Sequence, residues 1–520
     1  MGFESRNEIL RSRSSASLDS LVFWIYLYAA LFVVLAVTTG QLRAQTLSES
    51  FVAAYRHNPA LQSQRYQARS IDETVPEALS GYRPKISGDA FYGTTSRDNA
   101  NGGSNRDSNE TYGYSARIEQ PIFDGFRTRS GVSEAEAEVR ASHQNLRAGE
   151  SEILLQTATS YFDVLRDEGV VLYRRKTLTA LRRELVGARE RLGRGQATMT
   201  DVEQTKQRAA LARSDLEQAA ANLRISRIRF ARVTSLKAKS LRMPRLPKRF
   251  WPGSLREAVG IAETNSPIIQ AAQSKHESAR HAIDKARGAL LPEVTLVGSY
   301  NREFNTSSNI REDDAASVLG RVRVPLYQGG AASARIRGAR HVAAGRDRDV
   351  RDAKLRVGEA VGAAWTELRA ARRRRAIEEK AVQAGERALA AVREEQQAGR
   401  RTVLDVLDAE RELVNLRIRL LTTQRDLHVT TYALLRSTGL LTINKLVPGA
   451  ERYDPKQHYR AVRGKWWGTS NPDAGGAGFL GSTQPEKLDR GERHNAGAAG
   501  VRGWSTKVNA QLKRDTTRSK

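Results

Sequence analysis

The chain has 520 residues, with 85 Lys and Arg against 58 Asp and Glu, and it contains no cysteine. The absence of cysteine excludes disulfides, thiolate metal sites, a cysteine nucleophile and a lipid anchor on an amino-terminal cysteine. A formal charge of +27 is typical of proteins that bind nucleic acid or an anionic surface, but charge alone does not choose between these partners.

The amino terminus predicts export from the cytoplasm. Several arginines precede an unbroken apolar run at 21–37, and the segment Leu42-Arg43-Ala44 follows it. This pattern is typical of a secretory signal peptide that ends at Ala44. The alternative is a transmembrane anchor, because the run has the length of the shortest membrane helices. No later window of the sequence has enough consecutive apolar residues for a membrane helix.

The rest of the chain contains an internal duplication. Asn58-Pro59 is matched by Ser266-Pro267, 208 residues later, whereas the segment from Gly195 to Asp201 is matched by the segment from Gly399 to Asp405, 204 residues later. Residues were therefore lost or gained between these landmarks. In that interval each copy has two segments in which apolar and polar residues alternate, so we expect one β-hairpin in each copy.

Two helices follow each predicted hairpin. From Phe126 to Leu192 there is no proline, and part of this stretch has leucine or alanine every three or four residues, as in a coiled-coil seam. A helix of about 67 residues is roughly 100 Å long at 1.5 Å per residue. A glycine-containing break ends this helix before a shorter second one, and the other copy has the corresponding break at Gly399.

The chain is thus predicted to contain five segments. They are a signal peptide at 1–44, a first repeat at 45–240 with its hairpin at 85–122 and its helices at 126–234, a Pro-rich linker at 241–253, a second repeat at 254–446 with its hairpin at 293–324 and its helices at 331–438, and a basic tail at 447–520. The tail is rich in Gly, Ser and Thr, so most of it is predicted to be disordered. Trp466-Trp467 is the exception, either docked on the body or exposed as an interaction motif.

Four strands of about ten residues have the length that tilted strands need to cross a bilayer, but they cannot close a barrel. Because every strand edge must be paired in lipid, several chains must contribute to one barrel. Three chains would give a 12-stranded barrel, although strand pairing alone does not fix the number of chains at three.

The chain resembles the TolC family of outer-membrane export ducts over residues 47–445. The resemblance rests on the duplicated plan, on Pro-Leu-Tyr-Gln-Gly-Gly at 325–330 and on the segment from Arg401 to Ala409. It implies an α+β membrane protein, a homotrimer whose 12-stranded β-barrel in the outer membrane continues as an α-helical coiled-coil barrel in the periplasm. It also implies docking onto a periplasmic adaptor protein and an inner-membrane transporter. The missing lipid-anchor cysteine and the form of the Asp405 segment look more like the type I secretion and general-duct branch.

The residues that could gate such a duct lie after the second break. Asp405 and Asp408 share a helix face, and three copies around an axis would form a ring of carboxylates that binds cations, repels anions and has raised, coupled pKa values. The alternative is that these acids stabilise the positive end of the helix dipole.

The resemblance further implies a latch between Thr200 and Asp201 in the first copy and Arg401 in the second, closed by an arginine–carboxylate bond. The alternative for Thr200-Asp201 is a helix N-cap. The sequence departs from the family at Gln396, which stands where the family has a latch tyrosine.

We therefore interpret the chain as an outer-membrane exit duct for proteins or small molecules, without enzymatic activity or cofactor. Phosphate-binding loops, zinc-protease motifs and nucleophile elbows are absent from the sequence. Alternatives are a multidrug efflux duct of the same fold and a non-conducting coiled-coil protein of the envelope. Only the charge suggests a nucleic-acid binder, and the predicted signal peptide argues against one. We therefore expect most basic residues to lie on solvated helix faces. The alternative explanation of the positive charge is a basic surface that binds a partner.

Overall fold

A computed structural model describes residues 45–98, 106–244, 252–307 and 310–470. The predicted signal peptide, part of the predicted linker and the last 50 residues of the predicted tail lie outside these ranges. None of the helices within them combines the length and the hydropathy of a membrane-crossing segment.

The described chain runs twice through the same order of elements: short helices, two strands, a very long helix and a shorter one. The first pass comprises α1 (Leu47–His57), α2 (Pro59–Asp72), α3 (Thr74–Leu79), β1 (Lys85–Asp98), β2 (Arg106–Phe123), α4 (Arg127–Gly193) and α5 (Met199–Thr234). The second comprises α6 (Leu255–Asn265), α7 (Pro267–Gly288), β3 (Glu293–Ser307), β4 (Ile310–Arg323), α8 (Ala331–Gln397) and α9 (Val403–Ser437). Two short helices, α10 (Ile443–Leu446) and α11 (Pro455–Arg463), follow.

The four strands form one antiparallel sheet in the order β1-β2-β3-β4. The central pair, β2 and β3, joins the two repeats, and Tyr112 stacks on Phe304 across it with ring centroids 4.9 Å apart. The strands have 14 to 18 residues and exceed the predicted length of about ten, because pairing continues into polar segments beyond the alternating pattern. In the described ranges β1 and β4 each pair on one side only, so the sheet is open at both edges.

Both long helices begin at the same kind of junction. Each follows two residues in the left-handed conformation, Gly125 and Phe126 before α4 and Gly329 and Gly330 before α8. The chain can therefore turn sharply from strand to helix in both copies. Each helix then continues for 67 residues, which is about 100 Å at 1.5 Å per residue.

The apolar core lies between the helices rather than on the sheet. One cluster joins α6, α7, α8 and α9, with Val361, Leu368 and Leu434 among its buried members. A second cluster packs Leu178 and Leu181 of the predicted coiled-coil seam against α5 and α9. Alanine is frequent in both clusters, and small side chains let neighbouring helices approach closely along their length.

The first part of the predicted tail is folded. Helix α11 packs on α2, and its residues His458 and Val462 are buried. The prediction of a largely disordered tail is therefore wrong for residues 455–463, because this stretch has polar and apolar partners on the first repeat. Residues 447–454 and 464–470 of the tail are described and have neither helix nor strand, and residues 471–520 lie outside the described ranges.

Candidate functional site at the helical tips

Two tight turns reverse the chain at the far ends of the long helices. We call residues 194–198, between α4 and α5, the first tip, and residues 398–402, between α8 and α9, the second tip. Gly195 and Gly399 have φ values of 72° and 73°, a left-handed conformation that glycine adopts without strain. In each turn the residue after the glycine, Gln196 or Arg400, donates its backbone N–H to a carbonyl of the preceding helix at 2.8 Å.

The helix after each tip begins with a capping box. At the second tip the Thr402 N–H and hydroxyl donate to Asp405 Oδ2 at 2.9 and 2.8 Å, and the Asp405 N–H donates to the Thr402 hydroxyl at 3.3 Å. At the first tip Thr198 and Asp201 make the same three bonds at 2.9, 2.8 and 3.2 Å. Each aspartate therefore stabilises the start of its helix.

The capping bonds set the charge state of both aspartates. The pKa of Asp405 lies below its ordinary value, because the backbone and the hydroxyl of Thr402 donate to its carboxylate and the Arg401 cation is nearby. The pKa of Asp201 is lowered in the same way by Thr198. Within one chain, this is opposite to the raised pKa predicted for a ring of carboxylates, since the hydrogen bonds favour the ionised form.

The alternative of an N-cap at Thr200-Asp201 is correct for Asp201, which belongs to the capping box, and wrong for Thr200. Thr200 is exposed and is the second residue of α5, whereas the cap itself is Thr198. A threonine followed three positions later by an acid is the sequence signal of a capping box, and Thr198 and Thr402 both fit it.

Arg401 is held by its own tip. Its Nε lies 2.9 Å from Glu395 Oε2, and this bond together with the charges of Glu395 and Asp405 raises its pKa. Within the chain it makes no contact with Thr200 or Asp201, so the latch among these three residues stays a prediction for contacts between chains.

Asp408 forms an ion pair that the sequence analysis missed. Its Oδ1 lies 3.1 Å from Nη1 of Arg208, which reaches across from α5 to α9. In the 204-residue alignment of the two copies, Asp408 corresponds to Gln204 and Arg208 corresponds to Glu412. A position-by-position comparison of the two copies would have revealed that neither of these two charges is repeated in the other copy.

Further ion pairs join α8 to α9 behind the second tip. Arg393 Nη2 lies 2.5 Å from Glu410 Oε1, and Arg417 Nη2 lies 2.7 Å from Glu386 Oε1. Within the described ranges, no group of three or more His, Asp or Glu side chains is arranged to hold a metal ion. The second tip is thus a charged surface that can attract or repel ions by electrostatics.

The sequence profile described as "Outer membrane efflux protein" matches residues 52–235 and again residues 258–440. The chain belongs to this family. Each match covers one of the two repeats, which confirms the predicted duplication and the predicted resemblance. Membership also confirms the predicted location in the outer membrane with a periplasmic extension.

Two relatives and one solved structure support this assignment. The chain is 33% identical to outer membrane efflux protein BepC of Brucella suis, over 86% of this chain and 96% of the relative. It is 26% identical to outer membrane protein TolC of Vibrio cholerae, over 77% and 92%. The Campylobacter jejuni CmeC outer membrane channel has the same fold, with a TM-score of 0.70 at 13% identity over 80% of this chain and 89% of that one. BepC is thus named an efflux protein and CmeC a channel, both of the outer membrane.

Proposed function

We propose that the chain is the exit duct of a tripartite export system, and that it works as a homotrimer with a gate at the periplasmic helical tips. The observation that carries this proposal is the open sheet. Its edge strands β1 and β4 have unpaired backbone groups, which lipid cannot satisfy. Three copies arranged edge to edge supply a 12-stranded barrel and bring three pairs of tips around one axis.

The gate is formed by the second tips. Asp405 and Asp408 of three chains provide the acidic ring, while Arg208 offsets part of the charge of Asp408 within each chain. We infer that this ring attracts cations less strongly than one of unpaired carboxylates. The latch of Thr200, Asp201 and Arg401 acts between chains, where Arg401 must exchange Glu395 for a carboxylate of its neighbour.

The proposed cargo is small molecules, because the relative BepC is named an efflux protein. The duct itself is passive, and a periplasmic adaptor with an inner-membrane transporter supplies the energy. A cell that lacks the gene should accumulate a fluorescent efflux substrate, and expression of the full chain should reverse that accumulation. Unchanged accumulation together with lost protein secretion would move the proposal from efflux to secretion.

The decisive experiment is electrical. The purified protein, inserted into a planar lipid bilayer, should show discrete currents that a divalent cation blocks from the periplasmic side only, and its reversal potential should report weak cation preference. Folded trimers that insert but carry no current at either polarity would contradict a duct and favour a structural role in the envelope.

A further inference from the structure

The segment after α9 follows a defined path along the long helix α4. We call residues 450–467 the C-terminal strap. Its successive residues reach successively earlier positions of α4, directly or through α1 and α2. The backbone N–H of Tyr453 reaches Glu150 through Tyr55, the His458 ring reaches His143 through Asp72, and the Arg463 side chain contacts Glu136. Because α4 starts at the sheet, the strap runs from the middle of the helical region back toward the strands.

The first anchor of the strap is a buried polar stack. The Tyr453 N–H donates to the Tyr55 hydroxyl at 3.2 Å, and that hydroxyl donates to Glu150 at 2.7 Å. The Arg65 guanidinium lies over the rings of Tyr55 and Tyr453, at 4.7 and 4.8 Å from their centroids. Burial raises the pKa of Glu150. These contacts fix the start of the strap firmly on the first repeat.

Two further anchors hold α11. The carboxylate of Asp72 is almost fully buried between two histidines. Its Oδ1 lies 2.8 Å from His143 Nε2, and its Oδ2 lies 3.1 Å from His458 Nδ1. Five residues further along α11, Arg463 Nη2 lies 3.0 Å from Glu136 Oε1. The strap is thus held at several levels, and its end has little freedom to move away from the body.

The strap ends at the base of the sheet. Arg83 Nη1 donates to the Lys465 carbonyl at 2.9 Å, and its guanidinium lies 4.9 Å from the ring centroid of Trp466. Arg83 is two residues before Lys85, where β1 begins. The Trp466-Trp467 pair is therefore placed at the border between the strands and the helices.

Despite these anchors, both indoles face outward. Trp466 is 69% exposed and Trp467 is 90% exposed. Side chains of this size and polarity are enriched where a membrane protein crosses from hydrocarbon to headgroups. Tyr82, just before β1, and Ile86 and Ile122, near the ends of β1 and β2, are further exposed apolar side chains at this end of the sheet.

The charge around the indoles is mainly positive. Arg83 and Lys465 lie beside them, and Lys85 is exposed at the start of β1, where Glu119 is its cross-strand neighbour. Basic side chains near a bilayer surface attract anionic headgroups. The two indoles and their flanking cations are therefore more compatible with a phospholipid interface than with bulk water.

We propose that Trp466 and Trp467 are an interfacial membrane anchor, which inserts into the headgroup region of the periplasmic leaflet, with Lys465 and Arg83 contacting anionic phospholipid phosphates. The strap would then tie the lower edge of the sheet to the leaflet and to the helical region at once. This proposal rests on the outer-membrane location of the family and not on the gate.

Tryptophan quenching by brominated phospholipids tests it. The full mature protein is reconstituted in vesicles of phosphatidylcholine and phosphatidylglycerol, with bromine placed either near the headgroup or near the chain end. We expect shallow bromines to quench the wild type more than deep ones do. The Trp466→Phe/Trp467→Phe variant should lose that shallow component. Trp365→Phe, a change in the helical core, is the matched control and should retain it.

The lipid charge is tested separately. Removing phosphatidylglycerol should weaken the shallow quenching, and Lys465→Gln should reduce this dependence on anionic lipid, with Arg83 supplying the remainder. Lys456→Gln, an exposed lysine at the other end of α11, is the control and should leave the dependence intact.

Three results would overturn the anchor. Shallow quenching that survives in the Trp466→Phe/Trp467→Phe variant would assign it to other tryptophans. Full access of aqueous iodide to both indoles in vesicles would leave them in water. Protection from iodide and bromine together would show that a neighbouring chain or another protein covers them. Channel currents measured on the same vesicles separate these results from a failure of the proposed duct.

Discussion

The two helical tips have the same backbone and different charges. Both have a left-handed glycine and a threonine–aspartate capping box with nearly equal distances. Only the second has Asp408, which lies where the first has Gln204, and only the second has its acid paired to Arg208. The shared aspartate is thus explained by helix capping in both copies, so its position alone does not identify a gate. The residues that differ are the ones that could make the second tip electrically distinct.

The comparison makes the first tip an internal control for the second. A change at the second tip that weakens divalent block, when the same change at the first tip does not, supports an acidic ring there. Equal effects at both tips indicate a role in folding. The predictions below use this pairing.

The largest effect should come from removing both acids of the second tip. In Asp405→Asn/Asp408→Asn channels we expect higher conductance and at least about tenfold weaker divalent block, which corresponds to about 1.4 kcal/mol of cation binding. Asparagine at 405 can still accept from Thr402, so the cap is retained. Single-channel recording measures both quantities. Asp201→Asn at the first tip removes the latch carboxylate, so it should raise conductance but leave the divalent block unchanged, and an unchanged block in the double variant would refute the acidic ring.

The capping threonines should matter equally at both tips. Thr402→Ala and Thr198→Ala each remove the hydroxyl that accepts the N–H of the aspartate, at a typical cost of about 1 kcal/mol to the start of the helix. Hydrogen exchange of the first turns of α9 and α5 should speed up about fivefold in each variant. A much larger effect at one tip would show that tertiary contacts, rather than the cap, stabilise that turn.

Arg208 should weaken the attraction of cations to the second tip. In Arg208→Gln the carboxylate of Asp408 loses its partner, so divalent block should become stronger by about threefold, as expected for a partly exposed ion pair. Lys206→Gln removes a charge of the same sign from the same helix, where Lys206 pairs with Glu203 instead. It should leave the block nearly unchanged, and an equal effect of both variants would indicate general charge rather than the pair.

The smallest effect should be that of mild acid. Because the pKa of Asp405 is lowered in the folded chain, its charge and its contribution to the cap are fully present above the unfolded pKa of about 3.9. They are lost only as the pH falls through the lower folded value. Divalent block should therefore be constant from about pH 7 to pH 5. A midpoint above pH 5 would show that repulsion between the three chains overcomes the bonds from Thr402.

Most of the fold was predictable because its signals are local. The strand alternation, the long proline-free helices and the breaks at Gly195 and Gly399 all depend on residues close together in the sequence. The capping boxes were predictable too, since Thr198 has the required spacing from Asp201, but the alternative given above placed the first cap at Thr200-Asp201 and included only its acid correctly. The strap was not predicted beyond its tryptophans, because a composition rich in polar residues does not reveal partners elsewhere in the fold.

The sequence by itself determined the duplication, the hairpins, the helices and the position of both tips, since periodicity and capping act between near neighbours. Only the tertiary structure decided which charges meet. Arg208 and Asp408 are 200 residues apart, and His458 and Asp72 are 386 apart. Whether such pairs form depends on how each helix is rotated and shifted against the next, and that is set by the packing of many small side chains together.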